Sequence, residues 1–317
     1  MEKLKTISLF SGVGGIDLAF QNHNFEIIYA NDFDEEVIKT YNFNFGNKAT
    51  LGDITKINEN DLPNCDCLIA GFPCQAFSIA GYQKGFEDTR GTLFFDIARI
   101  LKQKKPKVIF LENVKNLISH DKGRTFEIIV NTLENLGYYL KYKTLNSSEY
   151  GNTPQNRERV YIVGFKSKKA YDNFNFPHKI ELTRTIKDCA NFETKVENKY
   201  YYTKDKYPKI VDAFKSFKNT NTIYQWRRHY VRENKNNLCP TLTANMGTGG
   251  HNIPLIITNY GLRKLTPKEC FNFQGFPENY KLPDNITDSH LYKQAGNSVC
   301  VTVIDRIAEK IYLALNN

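Results

Sequence analysis

The first 165 residues of this 317-residue chain alternate short β-rich runs with helical patterns, and that rhythm constrains the fold more than any other feature. Strands are expected at 6–10, 25–31, 66–70, 108–111, 139–146 and 160–165, and helices at 15–21, 35–44, 92–102 and 125–136. A β-α-β alternation predicts an α/β fold with a mostly parallel sheet and helices on both faces. Such sheets bind ligands at the C-terminal ends of their strands. Residues 166–262 break the rhythm: they are rich in Lys, Asn, Tyr and Thr and have no long amphipathic period. The α/β texture returns after Arg263 and ends in a helix expected at 301–315. The reading is an α/β domain of residues 1–165 plus 293–317, with a small irregular domain, residues 166–292, inserted into it.

Charge singles out the same block. The chain holds 43 Lys and Arg against 34 Asp and Glu; residues 166–262 hold 17 against 8, so the rest balances at 26 of each. A basic block on a neutral frame suits a polyanionic partner, because phosphate contacts release counterions. A lysine-rich solvated face is the plain alternative, and charge alone does not separate the two.

Other classes are excluded. No run of ~18 apolar residues exists, so a membrane span is not expected. The opening MEKLKTISLFSGVGG lacks the apolar run and cleavage site of a secretory signal, and the chain reads as cytoplasmic. Seven cysteines, an odd number, read as reduced thiols. Cys65 and Cys67 have no second pair to face them, so no metal site is expected.

Three segments in βα order suit a nucleotide-type ligand. Phe10-Ser11-Gly12-Val13-Gly14-Gly15 follows the first strand, where glycines admit a ligand close to the backbone. Its spacing is not that of a dinucleotide pyrophosphate loop, which argues against a nicotinamide dehydrogenase. Asp32 and Phe33 end the second strand, an acid for ribose hydroxyls beside a ring that can stack on a purine. Asp53-Ile54 adds an acid able to accept from an adenine amino group. Each alone is weak, since acids at strand ends also cap helices. Together they favour an adenosine-containing cofactor.

Gly71-Phe72-Pro73-Cys74-Gln75 follows the apolar run 67–70. The stretch to Arg90 carries no helix or strand pattern, and Gly81, Gly85 and Gly91 suit the hinges of a lid. A deprotonated cysteine is a strong nucleophile, although a lone cysteine is often a small buried hydrophobe. Glu112, in Glu112-Asn113-Val114, ends another core strand and can face the same pocket. Arg157 and Arg159 alternate in Gln155-Asn156-Arg157-Glu158-Arg159, so they are expected on one side of an extended chain, able to hold a carboxylate or phosphate. A salt bridge is the structural alternative for Glu112.

These residues resemble the DNA (cytosine-5)-methyltransferases, in particular the small bacterial restriction–modification enzymes. The similarity covers nearly all of the chain outside 166–262. Phe10–Gly15 resembles the family's cofactor loop, Gly71–Ser78 its Pro-Cys motif, Glu112–Val114 its Glu-Asn-Val motif and Gln155–Arg159 its Gln-x-Arg-x-Arg motif. Arg263–Cys270 with Gln274–Pro277, and Gln294–Val299, resemble the last two, in the family's order. Ser8 departs, since many members carry Asp there.

The resemblance implies a Rossmann-like fold, S-adenosylmethionine as cofactor and double-stranded DNA as substrate. It implies that residues 166–262 form most of a target-recognition domain. It further implies that Cys74 attacks C6 of a flipped cytosine, that Glu112 bonds the N3 edge and that Arg159 bonds the base carbonyl, while Arg157 steadies the loop or the carboxylate. Cofactor contacts fall to Phe10, Ser11, Gly12, Gly14, Gly15, Asp32, Phe33, Asp53, Ile54, Pro73, Asn297 and Ser298. DNA contacts fall to Ser78, Gln83 and Arg90 of the lid, and to Arg227, Arg228, Thr241, Leu242, Gly249 and Gly250 of the basic block; Trp226 is expected in that block's core. A monomer is expected, with a cognate restriction endonuclease encoded nearby but not stably bound. A tRNA cytosine-5 methyltransferase and a catalytically silent DNA-binding regulator remain as alternatives.

Overall fold

The computed structural model describes residues 2–73, 93–227, 229–248 and 253–316. The chain divides into two compact units: Met1–Leu145 with Glu158–His178 and Ile304–Asn317, and Asn146–Arg157 with Lys179–Val303.

In the first unit the strands are β1 (Leu4–Leu9), β2 (Phe25–Asp32), β3 (Ala49–Leu51), β4 (Cys67–Gly71), β5 (Val108–Val114) and β6 (Tyr139–Asn146). After the two-residue β7 (Gln155–Asn156) of the other unit comes β8 (Glu158–Phe165). Among the described residues seven of these strands form one sheet in the order β3-β2-β1-β4-β5-β8-β6. Pairing is parallel from β3 to β5, and β8 runs antiparallel to β5. The mostly parallel sheet expected from the β-α-β rhythm is therefore present.

Its core follows the period of two of a pleated strand. Ile7 and Leu9, Leu68 and Ala70, Ile109 and Leu111, and Val160 and Ile162 pack in one cluster. Helices α3 (Leu93–Lys104) and α4 (Arg124–Asn135) cover it with Phe94, Ile97 and Leu101, and with Phe126, Ile129 and Leu133, at helical spacing. Before them, α1 (Gly15–Gln21) follows β1 and α2 (Glu35–Phe45) follows β2. Asp34 caps α2, accepting from the N–H groups of Glu36 and Val37, and Gly46 ends it with φ 74°.

The second unit is built around a four-stranded antiparallel sheet. It contains β9 (Tyr224–Trp226), β10 (Val231–Glu233), β12 (Leu255–Thr258) and β13 (Gly261–Lys264), in the order β10-β9-β12-β13; β11 (Cys239–Pro240) pairs with β7 instead. Tyr202, Phe214, Tyr224 and Leu255 form a small core, with Trp226, Val231 and Leu262 packed against it. Trp226, expected in the core, is partly buried and packs against it. Arg263 is fully buried and grips both carboxylate oxygens of Glu269, at 2.8 and 2.7 Å, while also bonding the Lys264 and Asn191 carbonyls.

Candidate active site

The register of the sheet brings the first unit's motif residues to one end. Leu9 lies opposite Asn31 on one side and Ala70 on the other, Ala70 opposite Leu111, and Leu111 opposite Ile162. One residue beyond that row stand Phe10, Asp32, Gly71, Glu112 and Tyr161.

Phe10–Gly15 makes its turn with left-handed backbone at Phe10 (φ 52°), Gly12 (φ 54°) and Gly14 (φ 81°). A Cβ added at Gly14 would fall 2.3 Å from the Phe45 ring, so only glycine fits there. At Gly12 nothing lies within 4 Å of that point, so the backbone is open to a ligand. The Gly12 N–H donates to Asp32 Oδ2 at 2.9 Å, and the Asp34 N–H donates to Oδ1 at 3.1 Å. A carboxylate has about four lone-pair positions, so Asp32 keeps acceptor capacity. Burial raises its pKa above the usual carboxylate value. Phe33 beside it is 68% exposed. Asn31, buried, ties the next segment in by donating to the carbonyls of Thr50 (3.1 Å) and Gly52 (2.9 Å). Asp53, about half exposed, accepts from the Thr55 N–H and hydroxyl, which hold its pKa below the usual value, and Ile54 is buried. An open backbone, an exposed ring and two acids are a donor set that fits a nucleoside carrying an amino-acid tail. Ser11 is buried, with its N–H donating to the Asn31 carbonyl.

The second cluster is on β4, β5 and β8. Glu112 Oε1 lies 3.2 Å from Arg159 Nε, and their side chains are 9% and 13% exposed. An added Cβ at Gly71 would sit 3.5 Å from Glu112 Oε2, in ordinary contact, which places the acid beside this strand end. Asn113 Nδ2 donates to the Phe72 carbonyl at 2.9 Å and so holds the chain one residue before Pro73, which is exposed. No role had been read for Asn113 from sequence beyond its place in the motif.

Arg157 binds main chain, whereas Arg159 pairs with Glu112. Arg157 is 2% exposed and donates to the carbonyls of Leu242 (2.9 Å), Gly296 (3.3 Å) and Ser298, all in the second unit. The expected alternation on one extended side fails because β7 ends at Asn156 and β8 starts at Glu158, leaving Arg157 between them. Its guanidinium binds main chain, which makes it a positioning residue of that unit. Leu242 is 1% exposed there, with its N–H donating to Gln155 Oε1, and Thr241 Oγ1 donates to the Asn156 carbonyl at 2.5 Å. Asn297 is exposed and Ser298 buried at the end of the helix Asp288–Asn297. Arg227 is exposed on the turn joining β9 to β10. Cys74, Ser78, Gln83, Arg90, Arg228, Gly249 and Gly250 lie outside the described residues. Among the described residues no group of three or more His, Cys, Asp or Glu is placed to hold a metal, and no helix is long and apolar enough to cross a membrane.

The sheet order and the two clusters at one sheet end define a Rossmann-like methyltransferase. Comparison with known proteins gives the family: residues 4–313 match the C-5 cytosine-specific DNA methylases, and the chain belongs to that family. It is a DNA (cytosine-5-)-methyltransferase. It is similar to the type II methyltransferase M.Bsp6I of Bacillus sp. (strain RFL6), 56% identical over 98% of this chain and 99% of that protein. It is 42% identical to the type II methyltransferase M.HhaI of Haemophilus parahaemolyticus, over 99% of this chain and 95% of the other. Among solved structures, the S. pombe Dnmt2 methyltransferase shares the fold with a TM-score of 0.75 at 21% identity, covering 99% of this chain and 100% of its own.

Proposed function

We propose that this chain methylates C5 of a cytosine within a short specific sequence of duplex DNA, as the modification half of a restriction–modification system, through a covalent bond between Cys74 and C6 of a flipped base. The observation that carries this reading is the pairing of buried Glu112 with Arg159 beside Gly71, a glycine three residues before Cys74 in sequence.

Phe10–Gly15, Asp32, Phe33, Asp53 and Ile54 would hold S-adenosylmethionine, with the backbone at Gly12 approaching it and Phe33 stacking on its purine. When bound, that group supplies an electrophilic sulfonium methyl. Cytosine C5 is too weak a nucleophile to take it unaided. Addition of the Cys74 thiolate to C6 breaks the C5–C6 π bond and puts electron density on C5. Glu112 holds a proton at N3 as that charge develops, and Arg159 bonds the base carbonyl oxygen. After C5 is methylated, it loses its proton to a water, the Cys74–C6 bond breaks and the ring double bond returns.

Other cysteines suit this role less well. Burial pushes the thiols of Cys65 up to about 12 and Cys189 up to about 11, and those of Cys67, Cys239 and Cys270 well above the ordinary value. Such thiols are protonated near neutral pH and poor nucleophiles. The target base must leave the stack to be reached, at a cost of a few kcal/mol. The basic second unit, with Arg227, Arg228 and the segment near Gly249, supplies phosphate and base contacts. A kinship with DNA methylases at high identity favours DNA over RNA as substrate.

Bisulfite sequencing of DNA from cells expressing the chain tests the reading. Methylated cytosines at one short recurring sequence, absent with Cys74→Ser, are expected. Unmethylated DNA from an expressing, folded wild type would overturn it and favour a silent DNA-binding regulator.

A further inference from the structure

Beneath the Phe10–Gly15 loop lies an acid to which the chemistry above gives no part. Asp17, in the first turn of α1, is fully buried. The Ser8 hydroxyl donates to its Oδ2 at 2.9 Å and the Tyr41 hydroxyl to its Oδ1 at 2.7 Å. Ser8 is on β1, two residues before the left-handed Phe10, and Tyr41 is on α2. The acid therefore joins the three elements that meet around the loop. The Tyr41 ring packs on Phe45 with centroids 4.5 Å apart, and the Phe45 ring is what closes the space at Gly14. The path of the loop thus depends on where Tyr41 is held.

Among the described residues no cation compensates this carboxylate. No Lys, Arg or His among them pairs with it; of the titratable groups on the elements packed around it, Lys5 of β1, Glu26, Tyr29 and Asp32 of β2, Cys67 of β4, and Glu35, Glu36 and Lys39 of α2, which pair with one another, make no bond to it. Burial pushes its pKa up to about 6, against the lowering effect of the two hydroxyl bonds. A buried charge without a counter-ion disfavours folding, and such costs concentrate at functional sites.

We propose that ionised Asp17 is a positioning residue for the cofactor loop, acting through Ser8 and Tyr41, so that cofactor affinity follows the protonation of this one buried acid. The ionised form accepts both hydroxyl bonds as charge-assisted ones, roughly twice as strong as neutral bonds. Protonation turns one of them around and weakens both, loosening Tyr41 and with it the Phe45 wall against Gly14. The inference rests on the reading of Phe10–Gly15 as a cofactor loop.

The test uses the full chain, calorimetric titration with S-adenosylhomocysteine from pH 5 to 8, and thermal melts of the free protein. Wild-type affinity should fall about three- to tenfold from pH 7.5 to pH 5. Asp17→Asn should bind at pH 7.5 about three- to tenfold more weakly than wild type, show a smaller pH dependence than wild type, and yet melt higher than wild type at pH 7.5. A merely structural acid would move stability and affinity in the same direction. Tyr41→Phe and Ser8→Ala should each weaken binding in part and provide the same readout if Asp17→Asn does not fold. A pH-independent wild-type affinity, or Asp17→Asn binding as tightly as wild type at pH 7.5, overturns the inference alone. A folded wild type that binds no S-adenosylhomocysteine at any pH removes the cofactor reading, and the inference with it.

Discussion

Each unit contains an arginine–glutamate pair with a buried acid, and the two are built differently. In the second unit Arg263 holds both oxygens of Glu269 and bonds two main-chain carbonyls, while Glu269 also accepts from the N–H groups of Asn191 and Thr266. These bonds tie separate stretches of chain to one another. In the first unit Glu112 and Arg159 approach at 3.2 Å at the strand ends, with Gly71 beside the acid, and Arg159 also donates to the Glu158 carbonyl at 2.8 Å. The first arrangement cross-links a fold; the second, under the proposed function, offers a carboxylate and a guanidinium to the base. Residue types alone do not distinguish the two pairs; they differ in how many separate stretches of chain the arginine ties together.

The comparison can be broken by exchanging the expected effects. Glu112→Gln should lower the methylation rate about 10²–10⁴-fold, as for a proton-holding group, while costing less stability than the corresponding change at Arg263. Single-turnover kinetics and denaturant unfolding on the same preparations check both halves. Arg263→Ala should destabilise the protein by about 3–5 kcal/mol, because it leaves Glu269 buried without its partner. A Glu112 variant that mainly unfolds, or an Arg263 variant that mainly slows a stable enzyme, would reverse the assignment.

Asp17 sharpens the comparison, being a buried acid with hydroxyl partners rather than a guanidinium. The folded chain holds this proton more tightly than the unfolded chain. Its contribution to stability is therefore complete below about pH 4 and is lost as pH rises through 6, a change of roughly 3 kcal/mol from the shift of 3.8 to about 6. Unfolding measured from pH 4 to 7.5 should show that loss in wild type and not in Asp17→Asn, against the background of the other groups. The smallest effect is expected at the surface: Arg227→Ala should lower the salt dependence of DNA binding by about one counterion, with no change in melting temperature.

Much of the first unit was legible in the sequence because its strands are long enough to display a period. Ile7, Leu9, Leu68, Ala70, Ile109 and Leu111 alternate toward one core, and the motif residues follow them at the strand ends. The second unit was legible in charge and not in structure. Its sheet has strands of three or four residues, too short to declare alternation, and its core is a handful of rings drawn from Tyr202 to Leu262. Arg157 and Arg159 show the limit of reading spacing: two residues apart, they serve different partners because the extended chain is interrupted between them. Asp17 was invisible for another reason. Nothing local marks a helical aspartate as buried, and its partners lie nine residues before it and 24 after it.

The most direct test replaces the target cytosine by 5-fluorocytosine in a duplex carrying the site, with S-adenosylmethionine present. Fluorine at C5 prevents loss of the proton that would release the thiol, so the adduct persists. Mass spectrometry of the digested complex should find the oligonucleotide attached at Cys74. An active preparation with no adduct, or with one on another residue, would contradict the account.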